Sequence, residues 1–140
     1  DYYLKIPREG SLCEVREATV FISHAWKYPF LEVFSALKDH FPTDSQEEEE
    51  AVLWFDLFSN SQHGLIYKPP PFSWWCETFM NAIKRMKKVV MIMIPWDQPF
   101  TLTRSWCLWE VYCSAATKTT FEIAMTSIES EKFRSNLFQN

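Results

Sequence analysis

Four short runs of apolar and β-branched residues recur along the chain, at Ala18–Ser23, Ala51–Leu57, Val89–Ile94 and Thr119–Thr126. Short runs of this kind are typical of strands, and an almost continuous apolar run is typical of a strand covered on both faces. Because Val89–Ile94 is apolar throughout, we expect it to be the central strand of a sheet.

The segments between these runs carry apolar residues at the spacing of helices. Helices are predicted over three segments: Phe30–Phe41, Phe72–Lys88 and Arg104–Ala116. Thr103 or Ser105 can cap the third of them, and a further helix is expected from Ser127 onward. The alternation of strands with helices predicts an α/β fold with a parallel sheet covered on both faces.

The composition indicates one folded domain, because the chain has 140 residues of which 47% are hydrophobic and 17% aromatic. A formal net charge of -4 gives no electrostatic reason to expect a nucleic-acid partner. We interpret residues 1–17 as a lead-in segment and residues 18–140 as the domain. Since the sequence begins without methionine and ends without a recognisable closing element, we expect a domain cut from a longer protein.

Residue usage argues against several types of site. Gly10 and Gly64 are the only glycines, which excludes the glycine-rich loops that bind phosphates in P-loop and dinucleotide-binding proteins. The four cysteines form no Cys-x-x-Cys pair, so we expect free thiols and no metal site. The sequence shows no signal peptide and no apolar run of membrane-spanning length, and we expect a cytoplasmic protein.

A substrate-binding site is expected where the loops after the first and third strands converge. Ligands of open parallel sheets bind beyond the carboxyl ends of the strands, at the point where the strand order reverses. If the order is 2-1-3-4, that point lies between segments Ser23–Phe30 and Pro95–Thr103. Side chains placed there are Ser23, His24, Trp26, Trp96, Arg104, Trp106 and Glu110. Trp106 and Glu110 are four residues apart and therefore share one face of the predicted helix.

Three motifs, taken in order, resemble those of TIR (Toll/interleukin-1 receptor) domains. Thr19–His24 resembles the box on their first strand, and Trp54–Asp56 resembles the second strand, which leads into the BB loop. Ser105–Glu110 resembles the Trp-Cys-x-x-Glu helix of the TIR domains that cleave NAD+. The resemblance extends over residues 18–126. The chain departs from the family in a longer BB-like loop that contains Pro69–Pro71. The final strand and helix of the family are also not recognisable in the sequence, so the C-terminal part of the fold is expected to be incomplete.

The resemblance implies a flavodoxin-like three-layer sandwich and, for the enzymatic members of the family, hydrolysis of the nicotinamide–ribose bond. Glu110 falls on the position of the catalytic glutamate, and Trp106 falls on an aromatic residue found beside it. Ser23 and His24 fall where the first loop touches the substrate. NAD+ is then a substrate, and no cofactor is implied. The resemblance also implies self-association, here through the loop of residues 59–71, and assembly with other TIR domains in innate-immune or stress signalling.

The chemistry of this bond suits a single carboxylate. Nicotinamide departs as a neutral molecule from a cationic ring and leaves an oxocarbenium-like ribose, which a negative charge stabilises. Glu110 is the candidate for that charge, with Trp106 or Trp96 stacked on the pyridinium at a cation–π gain of about 0.5–2 kcal/mol. The products are then nicotinamide and ADP-ribose or a cyclic ADP-ribose. This hypothesis requires the Glu110 carboxyl to face the loops after the first and third strands rather than the core.

Other roles stay open for these residues. Glu110 can be a water-exposed helix carboxylate, and His24 can be a base, a phosphate or ribose contact, or a histidine hydrogen-bonded at a strand end. Asp56 either contacts substrate or steadies the following loop, and Arg104 either binds phosphate or pairs with Asp97. Two further functions are weighed against NAD+ cleavage. One is a TIR-like scaffold that signals only by assembly, and the other is an enzyme related to nucleoside deoxyribosyltransferases, which also place a glutamate at the anomeric carbon.

Overall fold

A four-stranded parallel sheet forms the centre of the fold. The computed structural model describes residues 16–42, 51–56 and 70–138. Within them the strands are β1 (Val20–Ser23), β2 (Leu53–Trp54), β3 (Lys88–Ile92) and β4 (Thr120–Ala124). Their spatial order is β2-β1-β3-β4, and every neighbouring pair is parallel. The order 2-1-3-4 is therefore confirmed, and the strand order reverses between β1 and β3.

Helices lie on both sides of this sheet. Those in the described residues are α1 (Phe30–His40), α2 (Phe72–Met86), α3 (Ser105–Thr117) and α4 (Ser127–Leu137). A short 3-10 helix, Phe100–Thr103, joins β3 to α3. The arrangement is an α/β flavodoxin-like sandwich, which confirms the predicted fold class. None of the helices in the described ranges combines the length and the hydropathy needed to cross a membrane.

Different helices cover the two faces of the sheet because side chains alternate along each strand. Ile22 of β1 packs in one core cluster with Val33 of α1. Phe21 points to the opposite face and packs with Ile83 of α2. Full burial of a side chain of this size stabilises the fold by roughly 1.5–3 kcal/mol. Burial on both faces explains why the first strand is an unbroken apolar run rather than an alternating one.

The elements differ from the predicted ones mainly at their ends. The second strand is short because only Leu53 and Trp54 are in register with β1. The prediction that Thr103 or Ser105 caps α3 is wrong. Arg104 occupies the N-cap position and makes no side-chain cap hydrogen bond. The hydroxyl of Thr103 instead donates to the carbonyl of Phe100, 2.7 Å away, and so belongs to the preceding 3-10 turn.

Two of the helices end on a lysine with a left-handed backbone. Lys87 follows α2 with φ of 64°, and Lys118 follows α3 with φ of 55°. Glycine usually fills this position, because a Cβ atom costs about 1–2 kcal/mol in the left-handed region. Because neither of these two positions is a glycine, both helix ends bear this cost.

Replacing Lys118 by glycine is expected to raise the free energy of unfolding by about 1 kcal/mol. Lys118 is exposed, so the substitution removes little packing. Urea unfolding followed by circular dichroism measures the change. The matched control is Ala116→Gly, at an exposed position inside α3, where glycine should lower the free energy of unfolding by about 1 kcal/mol. Equal losses in the two variants would contradict the left-handed backbone at Lys118.

Candidate active site

One face of α3 is attached to the carboxyl end of β1. Arg104, Cys107 and Glu110 are spaced three residues apart and therefore share that face. The Nη1 group of Arg104 and the Sγ of Cys107 both donate to the carbonyl oxygen of His24, at 3.3 and 3.5 Å. The hydroxyl of Ser23 donates to Oε2 of Glu110 at 2.5 Å. Three successive contacts thus hold the start of α3 against the last strand residue and the first loop residue of β1.

The Glu110 carboxyl lies at the end of the sheet where ligands of this fold bind, but it is almost fully covered. Only 6% of the residue is exposed. Burial raises the pKa of Glu110 from its ordinary value of 4.5 to about 8. The Ser23 hydroxyl and the Arg104 guanidinium act in the opposite direction, while the negative charge of Asp56 adds to the rise. The carboxyl therefore meets the last residue of β1 in a buried position, so it is not the water-exposed helix carboxylate of the alternative. That it faces the loops after the first and third strands stays a prediction.

Asp56 joins the ends of β1 and β2. Its Oδ2 atom accepts a hydrogen bond from Nε1 of Trp26 at 2.9 Å. Its Oδ1 atom lies 3.6 Å from Nε2 of His24, just beyond hydrogen-bond distance. The side chain therefore steadies the segment after β1 as well as the position where β2 ends.

The imidazole of His24 is buried behind this carboxylate. Its ring lies 4.4 Å from the ring of Phe55, centroid to centroid. Burial lowers the pKa of His24, against the opposing effect of the Asp56 carboxylate, and the Arg104 guanidinium lowers it further. A neutral imidazole at this depth fits the description of a histidine held at a strand end better than that of an exposed base.

The open part of the site is a rim made by an indole and a guanidinium. Trp26 is 50% exposed. The guanidinium carbon of Arg104 lies 5.6 Å from the centre of its ring, which is within cation–π range. Arg104 thus contacts His24 and Trp26 rather than Asp97. The rim offers a flat aromatic surface and a positive charge, and Arg104 is six residues, or nearly two helical turns, from Glu110.

The other two tryptophans predicted at the site pack elsewhere. Trp106 lies against α2, with its ring 5.5 Å from that of Phe79 and 5.3 Å from that of Phe72. Trp96 lies against α4, where its ring is 5.5 Å from that of Phe133. The backbone N–H of Trp96 donates to the carboxylate of Glu129 on the same helix. The structure therefore brings together Ser23, His24, Trp26, Asp56, Arg104 and Glu110, and it gives Trp106 and Trp96 packing contacts.

Two residues of the site were missed by sequence reasoning. Cys107 could have been found from its spacing, since it lies three residues from both Arg104 and Glu110. Burial raises the pKa of its thiol to about 11, so the thiol stays protonated and remains a donor. Tyr28 has no comparable signal. Its hydroxyl oxygen accepts the N–H groups of Ile94 and Thr101, at 3.2 and 3.4 Å, and so fastens the loop after β3 to the loop after β1.

Some predictions fall on other parts of the chain. Within the loop of residues 59–71, the stretch 59–69 lies outside the described residues, and the predicted self-association through it stays a prediction. Pro71 is described and occupies the N-cap position of α2. Cys76, Cys107 and Cys113 are free thiols. Among the described residues, no group of three His, Cys, Asp or Glu side chains is placed to hold a metal ion.

Comparison with known proteins gives no further guide to the site. Neither the family models, nor the curated proteins, nor the solved structures contain a match to this chain. The functional interpretation therefore rests on the geometry of the side chains described above and on the three sequence motifs.

The substitution Glu110→Gln is expected to stabilise the protein increasingly as the pH rises from about 4.5 to about 8. In this interval the folded wild type holds a proton that the unfolded chain releases, so wild-type stability falls with rising pH, whereas the glutamine cannot titrate. The gain should approach roughly 3–5 kcal/mol at the upper end. Urea unfolding of both proteins across this interval measures it.

The control for this experiment is Glu131→Gln, which removes an exposed carboxylate on α4. It should shift the free energy of unfolding by no more than about 0.5 kcal/mol at any pH. A stability difference between wild type and Glu110→Gln that stays constant with pH would show that Glu110 does not retain its proton in the folded state.

Proposed function

We propose that this domain is a TIR-like NAD+ glycohydrolase that cleaves the nicotinamide–ribose bond. The observation that supports the proposal is the position of Glu110, whose carboxyl meets the end of β1 beside the point where the strand order reverses. The resemblance of the three motifs to TIR domains supplies the substrate class. The products are nicotinamide and ADP-ribose, or a cyclic form of ADP-ribose.

Glu110 acts in this proposal as the negative charge that faces the ribose. In the hydrolytic reaction the C–N bond breaks, and its electron pair leaves with neutral nicotinamide. Water adds to the anomeric carbon and one proton is released. An ionised carboxylate close to that carbon stabilises the oxocarbenium-like transition state. No acid is needed for the leaving group, so one glutamate suffices without a triad.

The raised pKa of Glu110 fits this role only if the substrate helps to ionise it. In the described structure the carboxyl is mainly protonated at neutral pH, because burial raises its pKa to about 8. The pyridinium ring of NAD+ is a cation, and a cation placed within a few ångströms of a carboxyl lowers its pKa. Binding of the substrate thus favours the charged form of Glu110 at the moment when that charge is required.

Substrate access requires the covered carboxyl to be uncovered. Glu110 is 6% exposed, whereas the Trp26 indole, which contacts Asp56 and Arg104, is half exposed. We infer that Trp26 stacks on a ring of NAD+ and that the Arg104 guanidinium pairs with its diphosphate. Both side chains lie on the rim, and their movement would open the path to Glu110. Self-association, which the family resemblance implies, is a suitable trigger for that movement.

A second candidate is a TIR-like scaffold that signals by assembly alone. The burial of Glu110 and its hydrogen bond to Ser23 are also what a carboxyl with a structural role would show. In addition, α3 exposes Leu108 and Tyr112, which are 49% and 56% accessible and are suitable contacts for another protein. The measurement of turnover separates the two candidates.

Nicotinamide release from NAD+ by the concentrated domain is expected to fall at least about 100-fold in Glu110→Ala and in Glu110→Gln. Glu131→Gln should retain the activity of the wild type. Circular dichroism checks that all the variants are folded. An absence of turnover in the folded wild type at every concentration would favour the scaffold. Turnover of deoxynucleosides alone would favour the deoxyribosyltransferase-like enzyme.

The two tryptophans at positions 26 and 106 should respond differently to replacement by alanine. Trp26→Ala is expected to raise KM for NAD+ by about 2- to 30-fold, because it removes a stacking surface worth about 0.5–2 kcal/mol. Trp106→Ala is expected to lower the free energy of unfolding by about 3 kcal/mol, because its ring packs on α2. Steady-state kinetics and urea unfolding measure the two effects.

The control for the first of these variants is Trp26→Phe, which keeps an aromatic ring but loses the N–H group that bonds to Asp56. It should retain most of the affinity if stacking is the main contribution. A large loss of stability in Trp26→Ala with an unchanged KM would assign Trp26 a structural role instead.

A further inference from the structure

Ser23 occupies a position that differs from that of a residue in a substrate-binding loop. It is the last residue of β1, it is paired in register with Met91 of β3, and only 1% of it is exposed. Its backbone is therefore fixed within the sheet. Its side chain points to the face that α3 covers, where its Oγ atom lies 2.5 Å from Oε2 of Glu110.

The hydroxyl of Ser23 has a single proton, and that proton is used in the bond to Glu110. A hydroxyl that donates to this buried carboxyl is not free to donate to a ribose or a phosphate. When Glu110 is ionised this bond becomes charge-assisted, and a bond of that kind is shorter and stronger than one between neutral groups. The sequence resemblance suggested a substrate contact for Ser23, whereas the geometry indicates an action through Glu110.

We propose that Ser23 is a positioning residue, whose hydroxyl fixes the Glu110 carboxyl at the mouth of the sheet and stabilises its negative charge. The inference deepens the proposed glycohydrolase function and rests on it only for the activity measurement. The titration of Glu110 can be followed whether or not the domain turns over NAD+.

The surroundings of Glu110 explain why a single hydroxyl matters. Burial raises the pKa of Glu110 most strongly, and of the two groups that lower it the Ser23 hydroxyl contributes more than the Arg104 guanidinium. Cys107 and Cys113 on the same helix add no charge near neutral pH, because burial raises the pKa of both thiols to about 11. The titratable and charged groups around the carboxyl are Asp56 at the end of β2, His24 beside it, and Arg104, Cys107 and Cys113 on α3.

The test is a 13C titration of the Glu110 side-chain carboxyl in the intact domain, with the signal assigned by its absence in Glu110→Gln. In Ser23→Ala the midpoint should rise by about one pH unit or more relative to wild type. Ser23→Thr keeps the hydroxyl and should return the midpoint to within about 0.3 units of the wild type. Ser23→Cys has a thiol of similar size that is a weaker donor, and its midpoint should lie between those of the wild type and the alanine variant.

The same shifts are expected in the pH profile of nicotinamide release. Below the midpoint, Ser23→Ala should be about tenfold slower than wild type at a given pH and should recover as the pH rises. A residue with only a structural role would lower the rate equally at every pH. If Ser23→Ala fails to fold, the comparison of the cysteine and threonine variants with wild type decides the same point.

The outcomes separate this inference from the proposed function. An unchanged midpoint in Ser23→Ala, or a threonine variant that titrates like the alanine variant, would overturn the positioning role. A shifted midpoint in a domain that never releases nicotinamide would support the positioning role and contradict the glycohydrolase. Shifts of equal size in the titration and in the rate profile would support both.

Discussion

The position of Glu110 depends on the attachment of α3 to the end of β1. Arg104 and Cys107 bond to one carbonyl oxygen of the loop, and Glu110 bonds to the hydroxyl of the strand residue before it. The strand is fixed on both sides by parallel pairing with β2 and β3. A rigid strand therefore acts as the reference for a helix that would otherwise be free to slide, and the carboxyl is placed by the sheet rather than by a loop.

Two electrostatic effects of burial oppose each other at the Glu110 carboxyl. A carboxyl in water is charged at neutral pH but interacts weakly, because the dielectric constant is high. A covered carboxyl interacts strongly with a nearby cation, but burial favours its neutral form. Glu110 is a covered carboxyl whose pKa is raised by burial, and the Ser23 hydroxyl and the Arg104 guanidinium offset part of that rise. Such a group responds to the charge of what is bound next to it, and this suits a substrate whose reacting ring is positive.

Sequence patterns could predict most of the fold, because its determinants are local. The four apolar runs and the helical spacing between them depend on neighbouring residues, and so does the common face of Trp106 and Glu110. The contact between Ser23 and Glu110 spans 87 positions and depends on how α3 crosses the sheet, which no local pattern contains. Helical spacing likewise places Trp106 near Glu110, but it does not predict that the Trp106 ring packs against Phe79 of α2. Trp96 packs on Phe133 of α4, and its backbone N–H donates to the Glu129 carboxylate; both are contacts between distant segments.

The phenol of Tyr28 has a consequence for how such a cleft could open. One oxygen accepts N–H groups from both ends of the stretch that runs from Ile94 to Thr101, while Tyr28 itself belongs to the turn that carries Trp26. The loop after β1 and the loop after β3, which form the two walls of the cleft, are therefore joined through a single oxygen atom. Displacing one wall must either break both bonds or take the other wall with it, so the two segments behave mechanically as one part.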